Sequence, residues 1–251
     1  MLLLIYTDIS TTSWILSVIA IIILGLSKSG LKGIAIIVVS LMAIAFGAKE
    51  STGLIVPILI VGDIYAVIYY NRHAQWHYIV RFLPWMILGV IFGALIGKDL
   101  DEHTFKIGIS TIILVSAGMM FWWDSRKSIK VPTHWAFAGS MGILSGITTM
   151  IGNLAGAFAN IFFLALRLPK NQFIGTAAWI FFIVNIFKLL CHIFIWKTVS
   201  LSTLGINLTL LPALFIGLFI GVRVVKIIKD DFYRKMILVL TAIGAIIILL
   251  K

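Results

Sequence analysis

Ionisable and small polar residues interrupt this chain at a few places only, and two of those places have the composition of an anion site. The segment GLSKSGLKG, residues 25–33, sets three glycines, two serines and two lysines within an apolar run. A helix entering it breaks, and the next helix opens with backbone amides that lack intrahelical acceptors. Such a start, with an ammonium beside it, binds anions. The segment SGITTMIGNLAG, residues 145–156, repeats the break with Thr148, Thr149 and Asn153 as hydrogen-bond partners. The candidate substrate-binding residues are therefore Ser27, Lys28, Ser29, Gly30 and Lys32 in the first break, and Thr149, Gly152 and Asn153 in the second. The amides around Gly30 and Gly152 would grip one oxyanion from two sides. For Lys28 the competing reading is a loop lysine that anchors to lipid headgroups. A P-loop is excluded, because Gly25 and Gly30 are correctly spaced but Leu31 stands where the phosphate-binding lysine is required.

A second group carries charge inside apolar segments. Asp63 sits in the middle of the run 53–71, where an ionised carboxylate costs about 3 kcal/mol or more unless paired or hydrated. Asn185, Lys188 and His192 fall at i, i+3 and i+7, on one helix face. An Asp63–Lys188 ion pair or a proton relay through His192 would make these four residues coupling or gating groups. A structural interhelical bond explains them equally well, and either way they face the protein interior. No metal-ligand spacing, nucleophile elbow or dinucleotide fingerprint occurs, and Cys191 is the single cysteine. The expectation is a protein with no cofactor, no metal and no catalytic residues.

The elements that position these groups are membrane helices. Hydrophobic residues make up 61% of the chain and charged residues 12%, which no soluble fold could bury. Continuous apolar runs, not alternating ones, exclude a β-barrel. Apolar segments fall near residues 12–27, 33–48, 53–71, 80–97, 104–123, 134–151, 155–167, 173–196, 201–224 and 234–250, five per half. Those at 33–48 and 155–167 are short for a bilayer and each follows a break, so they are broken or re-entrant candidates. The N-terminus lacks a basic region and a cleavage site, which makes the first segment a retained helix.

The chain also repeats at an offset of about 122 residues: Gly30, Gly53 and Asp63 fall opposite Gly152, Gly175 and Asn185. Shared glycines are cheap in such a composition; charge discriminates better. Of 20 Lys and Arg, one (Lys188) lies in the middle of a segment, and five (Lys49, Lys98, Lys106, Lys197 and Lys251) lie on one face if all ten segments cross. The other fourteen lie on the opposite face, which the positive-inside rule makes cytoplasmic, with both termini outside the cytoplasm. The formal charge of +11 is thus topology, not a nucleic-acid footprint. The acidic loop 98–106 is opposite the basic loop 223–235, and the loop with Arg72 and Arg81 is opposite one holding only Lys197. Equivalent loops of unlike charge make the repeat inverted. The halves are residues 1–124 and 134–251, joined by a polar cytoplasmic linker at 125–133. Gly89, Gly93 and Gly97, with Gly217 and Gly221, read as close-packing faces that suit a homodimer as well as internal packing. Trp76, Trp122, Trp123 and Trp196 read as an interfacial belt.

The run GILSGITTMIGNLAG at 142–156, followed by Arg167, Leu168, Pro169, Gly175 and Thr176, resembles the sulfite exporter TauE/SafE family of anion permeases. The likeness spans nearly the whole chain, although GLSKSGLKG lacks adjacent glycines and no proline precedes Gly53. The resemblance implies transport of sulfur-containing anions, such as sulfite or organosulfonates, at a site between the repeats. The expected protein is a multi-pass permease of the cell (inner) membrane, working by alternating access on a small anion. An anion channel is the alternative, and a non-transporting assembly factor a more distant one.

Overall fold

The computed structural model describes residues 9–105 and 135–229, together with positions 107, 108, 111, 112, 114, 115, 118, 232, 233, 236, 237 and 239. Apart from those positions, the expected segments at 104–123 and 234–250, the linker and both termini lie outside the described residues.

Every apolar run in the described part is helical, and no strand occurs there. The elements are α1 (Thr11–Lys28), α2 (Ala35–Phe46), α3 (Ala48–Tyr70), a 3-10 turn (Asn71–His73), α4 (Trp76–Lys98), α5 (Trp135–Gly152), α6 (Gly156–Ala165), α7 (Lys170–Phe194) and α8 (Leu201–Ile227). Helices α1, α3, α4, α5, α7 and α8 are long and apolar enough to cross a membrane. With 12 and 10 residues, α2 and α6 extend only about 18 and 15 Å at 1.5 Å per residue. Neither can cross about 30 Å of hydrocarbon as a helix.

Polar side chains set several helix starts, by capping them or by winding into the first turn. Ser10 accepts from the Ser13 amide to open α1, and Ser200 and Thr203 form a reciprocal capping box on α8. Helix α3 starts at Ala48, five residues before the apolar run, because the Glu102 carboxylate accepts from the amides of Ala48 and Lys49.

Glycine sets the packing. Helix α1 lies on α8 and α4 lies on α5, both through backbone-to-backbone contact. A Cβ on Gly25 would meet the backbone of Leu218 at 2.7 Å, and one on Gly217 would meet the Gly25 Cα at 3.0 Å. In the other pair a Cβ on Gly89 would meet the Gly146 Cα at 2.9 Å. The glycine stripes are therefore occupied within the chain.

Helices α3 and α7 pack together at the centre. Gly53, near the start of α3, lies against His192 and Thr198 at the end of α7. Gly175, near the start of α7, lies against Tyr70, His73 and Ala74 at the end of α3. The two helices run antiparallel.

Candidate functional site

Each short helix follows a backbone break whose geometry its residues dictate. Between α1 and α2, Gly30 and Gly33 adopt φ of 126° and 99°. That region is open to glycine and strained for other residues. A Cβ on Gly30 would also press on the Ile174 side chain at 2.8 Å. The Gly30 amide donates to the Ser27 carbonyl at 3.2 Å, at the end of α1. Ser29 donates its hydroxyl to the Leu26 carbonyl at 2.7 Å, closing the helix end. Between α5 and α6, Asn153 takes φ of 55°, a conformation Asn tolerates better than most residues. Its amide and that of Leu154 cap α5 on the Thr149 and Thr148 carbonyls.

The break at 25–33 turns its lysines inward. Lys28 is 7% exposed and Lys32 6%, which removes the headgroup-anchor reading of Lys28. The Lys28 Nζ donates to Asp63 Oδ1 at 2.5 Å, its stem lying over Gly62, where a Cβ would meet Lys28 Cγ at 2.9 Å. Asn185 Nδ2 donates to the other carboxylate oxygen at 2.6 Å. The expected Asp63–Lys188 pair is thus replaced by Lys28–Asp63–Asn185. The spacing on α7 correctly places Asn185 and Lys188 on the buried face, but spacing along one helix cannot say which cation crosses from another. Lys32 has no carboxylate at salt-bridge distance among the described residues; its Nζ lies 5.4 Å from the centre of the Phe181 ring, which Lys28 also faces at 5.9 Å.

The second break holds the third lysine. Lys188, fully buried, donates to Asn153 Oδ1 and lies 3.4 Å from both Thr149 oxygens. Asn153 in turn donates Nδ2 to the Thr52 carbonyl at 3.1 Å, tying the break to α3. His192, one turn after Lys188, shares a 2.8 Å hydrogen bond between Nδ1 and Thr198 Oγ1; its buried Nε2 has no partner. The structure therefore gathers the buried Lys28, Lys32, Asp63, Asn185, Lys188 and Thr149 into one region with the half-buried Asn153, and His192 lies at its edge. Ser27 and Gly152 are buried at the ends of α1 and α5.

Aromatic residues whose contacts the sequence did not mark close the region. Tyr70 donates to the Ser29 carbonyl at 2.8 Å and Tyr233 to the Gly30 carbonyl at 2.5 Å. Trp196 stacks edge-on with Phe105 and His192 and donates Nε1 to the Ala94 carbonyl at 2.9 Å. At 9% exposure Trp196 is a core residue, not part of an interfacial belt; Trp76, 51% exposed, keeps a position suited to one. Trp122 and Trp123 lie outside the described residues. Period alone could not find these contacts, since an aromatic at a helix end fits a lipid interface and a buried cap equally. Among the described residues no group of three or more His, Cys, Asp or Glu could hold a metal ion.

Six long apolar helices with ionisable side chains buried between them define a multi-pass helical membrane protein. The chain matches the sulfite exporter TauE/SafE family over residues 17–248 and belongs to that family, a family of transporters. No curated protein and no solved structure gave a significant match.

Proposed function

We propose that this chain is a secondary permease for small anions, sulfite or organosulfonates among them, working by alternating access. The observation that carries the proposal is the charge of the buried region: among the described residues, three lysines against one carboxylate, Asp63, where the two helix breaks approach each other. Unpaired buried charge is costly, and an anionic cargo supplies the missing partner. Lys32 and Lys188 act as its countercharges, with Thr149, Asn153 and Ser27 as polar contacts. The Lys28–Asp63–Asn185 bridge couples the two halves, with His192 one turn beyond Lys188 on α7 as a further gating group.

Three features support an inverted repeat of residues 1–124 and 134–251 about the linker at 125–133. Asp63 and Asn185, 122 residues apart, bond to each other; equivalent residues of two halves meet only near the axis that relates them. Helices α3 and α7, equivalent in the repeat, run antiparallel, as an axis in the membrane plane requires. The glycine contacts of α1 with α8 recur in α4 with α5. Ten crossings, with α2 and α6 each crossing only together with the non-helical break that precedes it, and both termini outside the cytoplasm complete this reading, in the cell membrane.

A buried site capped by Tyr70 and Tyr233 at one break, with Trp196 and Phe105 packed beyond His192, suits alternating access better than a continuous channel. The test is thermal unfolding of purified protein with sulfite, thiosulfate, sulfonates, carboxylates and phosphate. Stabilisation by the sulfur anions supports the proposal; stabilisation by carboxylates alone removes the sulfur assignment, and stabilisation by none removes the anion site.

A further inference from the structure

The buried charges bear on the cargo's own charge. Lys28 is neutralised by Asp63 at 2.5 Å, and that carboxylate's second oxygen is taken by Asn185. Lys32 and Lys188 are left as two buried ammonium groups with no carboxylate at salt-bridge distance among the described residues. Lys32 rests on the Phe181 ring, and Lys188 on the neutral oxygens of Asn153 and Thr149. Both lie in the field of the same Lys28–Asp63 pair, so the excess is confined to one region. A ring face and amide oxygens orient an ammonium but carry no countercharge.

Two further groups look unfinished. The His192 Nε2, one turn beyond Lys188, and the Ser145 Oγ, one turn before Thr149, are fully buried without hydrogen-bond partners. Buried polar atoms are nearly always partnered. His192 is one turn from Lys188 along α7 and Ser145 one turn from Thr149 along α5, so the helices that carry the Lys188 contacts also carry unmet hydrogen-bonding capacity. An oxyanion with several exposed oxygens completes both.

Resting on the permease reading, we infer that the site is built for an anion carrying two negative charges, Lys32 and Lys188 each balancing one, and that it discriminates against a monoanion of the same shape. Sulfate and methanesulfonate isolate the effect, because a methyl group replaces one charged oxygen on the same tetrahedral sulfur. Thiosulfate is a second dianion of similar size.

The experiment is equilibrium binding of sulfate, thiosulfate and methanesulfonate to the purified full chain at neutral pH and constant ionic strength. It is repeated with Lys32→Met and Lys188→Met. The wild-type chain binds at least one dianion about tenfold or more tighter than methanesulfonate, and each substitution erodes that ratio to about threefold or less. Equal or tighter binding of methanesulfonate by the wild-type chain overturns the two-charge inference and leaves an anion permease standing. That comparison needs no variant, so a misfolded Lys188→Met does not weaken it. Binding of none of the three removes the anion reading and the inference together.

Discussion

Replacing Asp63 by Asn keeps the shape of the side chain and removes its charge, which makes it the sharpest perturbation of the buried network. Among the described residues the wild-type region holds three lysines and one carboxylate, a formal excess of two positive charges. Asp63→Asn raises the excess to three and leaves Lys28 beside a neutral amide. Breaking a buried pair from one side costs about 3–5 kcal/mol. Lys28→Met is milder, because it lowers the excess to one and leaves Asp63 with the Asn185 bond and the field of Lys32 and Lys188. About 1–3 kcal/mol is expected there, the cost of an under-satisfied buried group. The double variant recovers part of the loss, with a coupling energy of about 2–3 kcal/mol. Equilibrium unfolding in mixed micelles, followed by tryptophan fluorescence, measures all four corners of the cycle. The reasoning fails if Asp63→Asn is no more damaging than Lys28→Met, or if the two losses add without coupling.

Gly217→Ala and Gly146→Ala force apart helices in backbone contact and should each cost about 1–3 kcal/mol in the same assay. Gly108→Ala, with nothing within 4 Å of the added carbon, should be neutral or slightly stabilising. Asn153→Gly keeps the backbone at φ 55° but loses the bonds to Lys188 and Thr52, whereas Asn153→Val adds strain of about 1–3 kcal/mol; unfolding of the two variants should rank them in that order. Asp101, exposed after α4, accepts bonds from Thr104 and the His103 amide, which hold its carboxyl below the usual carboxylate range. Its stabilising effect is full above the unfolded value and is lost as pH falls through the lower folded one. Hydrogen exchange should find the amides of His103 and Thr104 still protected near pH 4, with that protection lost in Asp101→Ala.

Burial of whole side chains was legible in the sequence, and pairing between helices was not. Apolar runs mark the helices because bilayer-crossing segments must be continuous, and the glycine-rich interruptions at 25–33 and 145–156 mark where two of them stop. Asp63, Asn185 and Lys188 announce an interior position, since lipid does not tolerate them. That Asp63 takes Lys28, 35 residues away on another helix, follows from how α1 and α3 are placed around Gly62, which no spacing along one helix encodes. Gly30 marks the first break correctly, but its amide is spent on closing α1. Phe181 carries no distinguishing signal in an apolar chain; only the fold puts its ring beside two lysines. The starts of α3 and α7 were missed by several residues because Lys49, Glu50, Lys170 and Asn171 wind into the helices despite their polarity.

The most direct test is sulfite flux in liposomes reconstituted with the full chain, comparing the wild type, Lys32→Met, Lys188→Met and Gly108→Ala. A permease that uses the buried lysines gives saturable flux in the wild type and in Gly108→Ala, and a loss of about tenfold or more in each folded lysine variant. Wild-type rates in both lysine variants, or wild-type flux no greater than in empty liposomes, would contradict it.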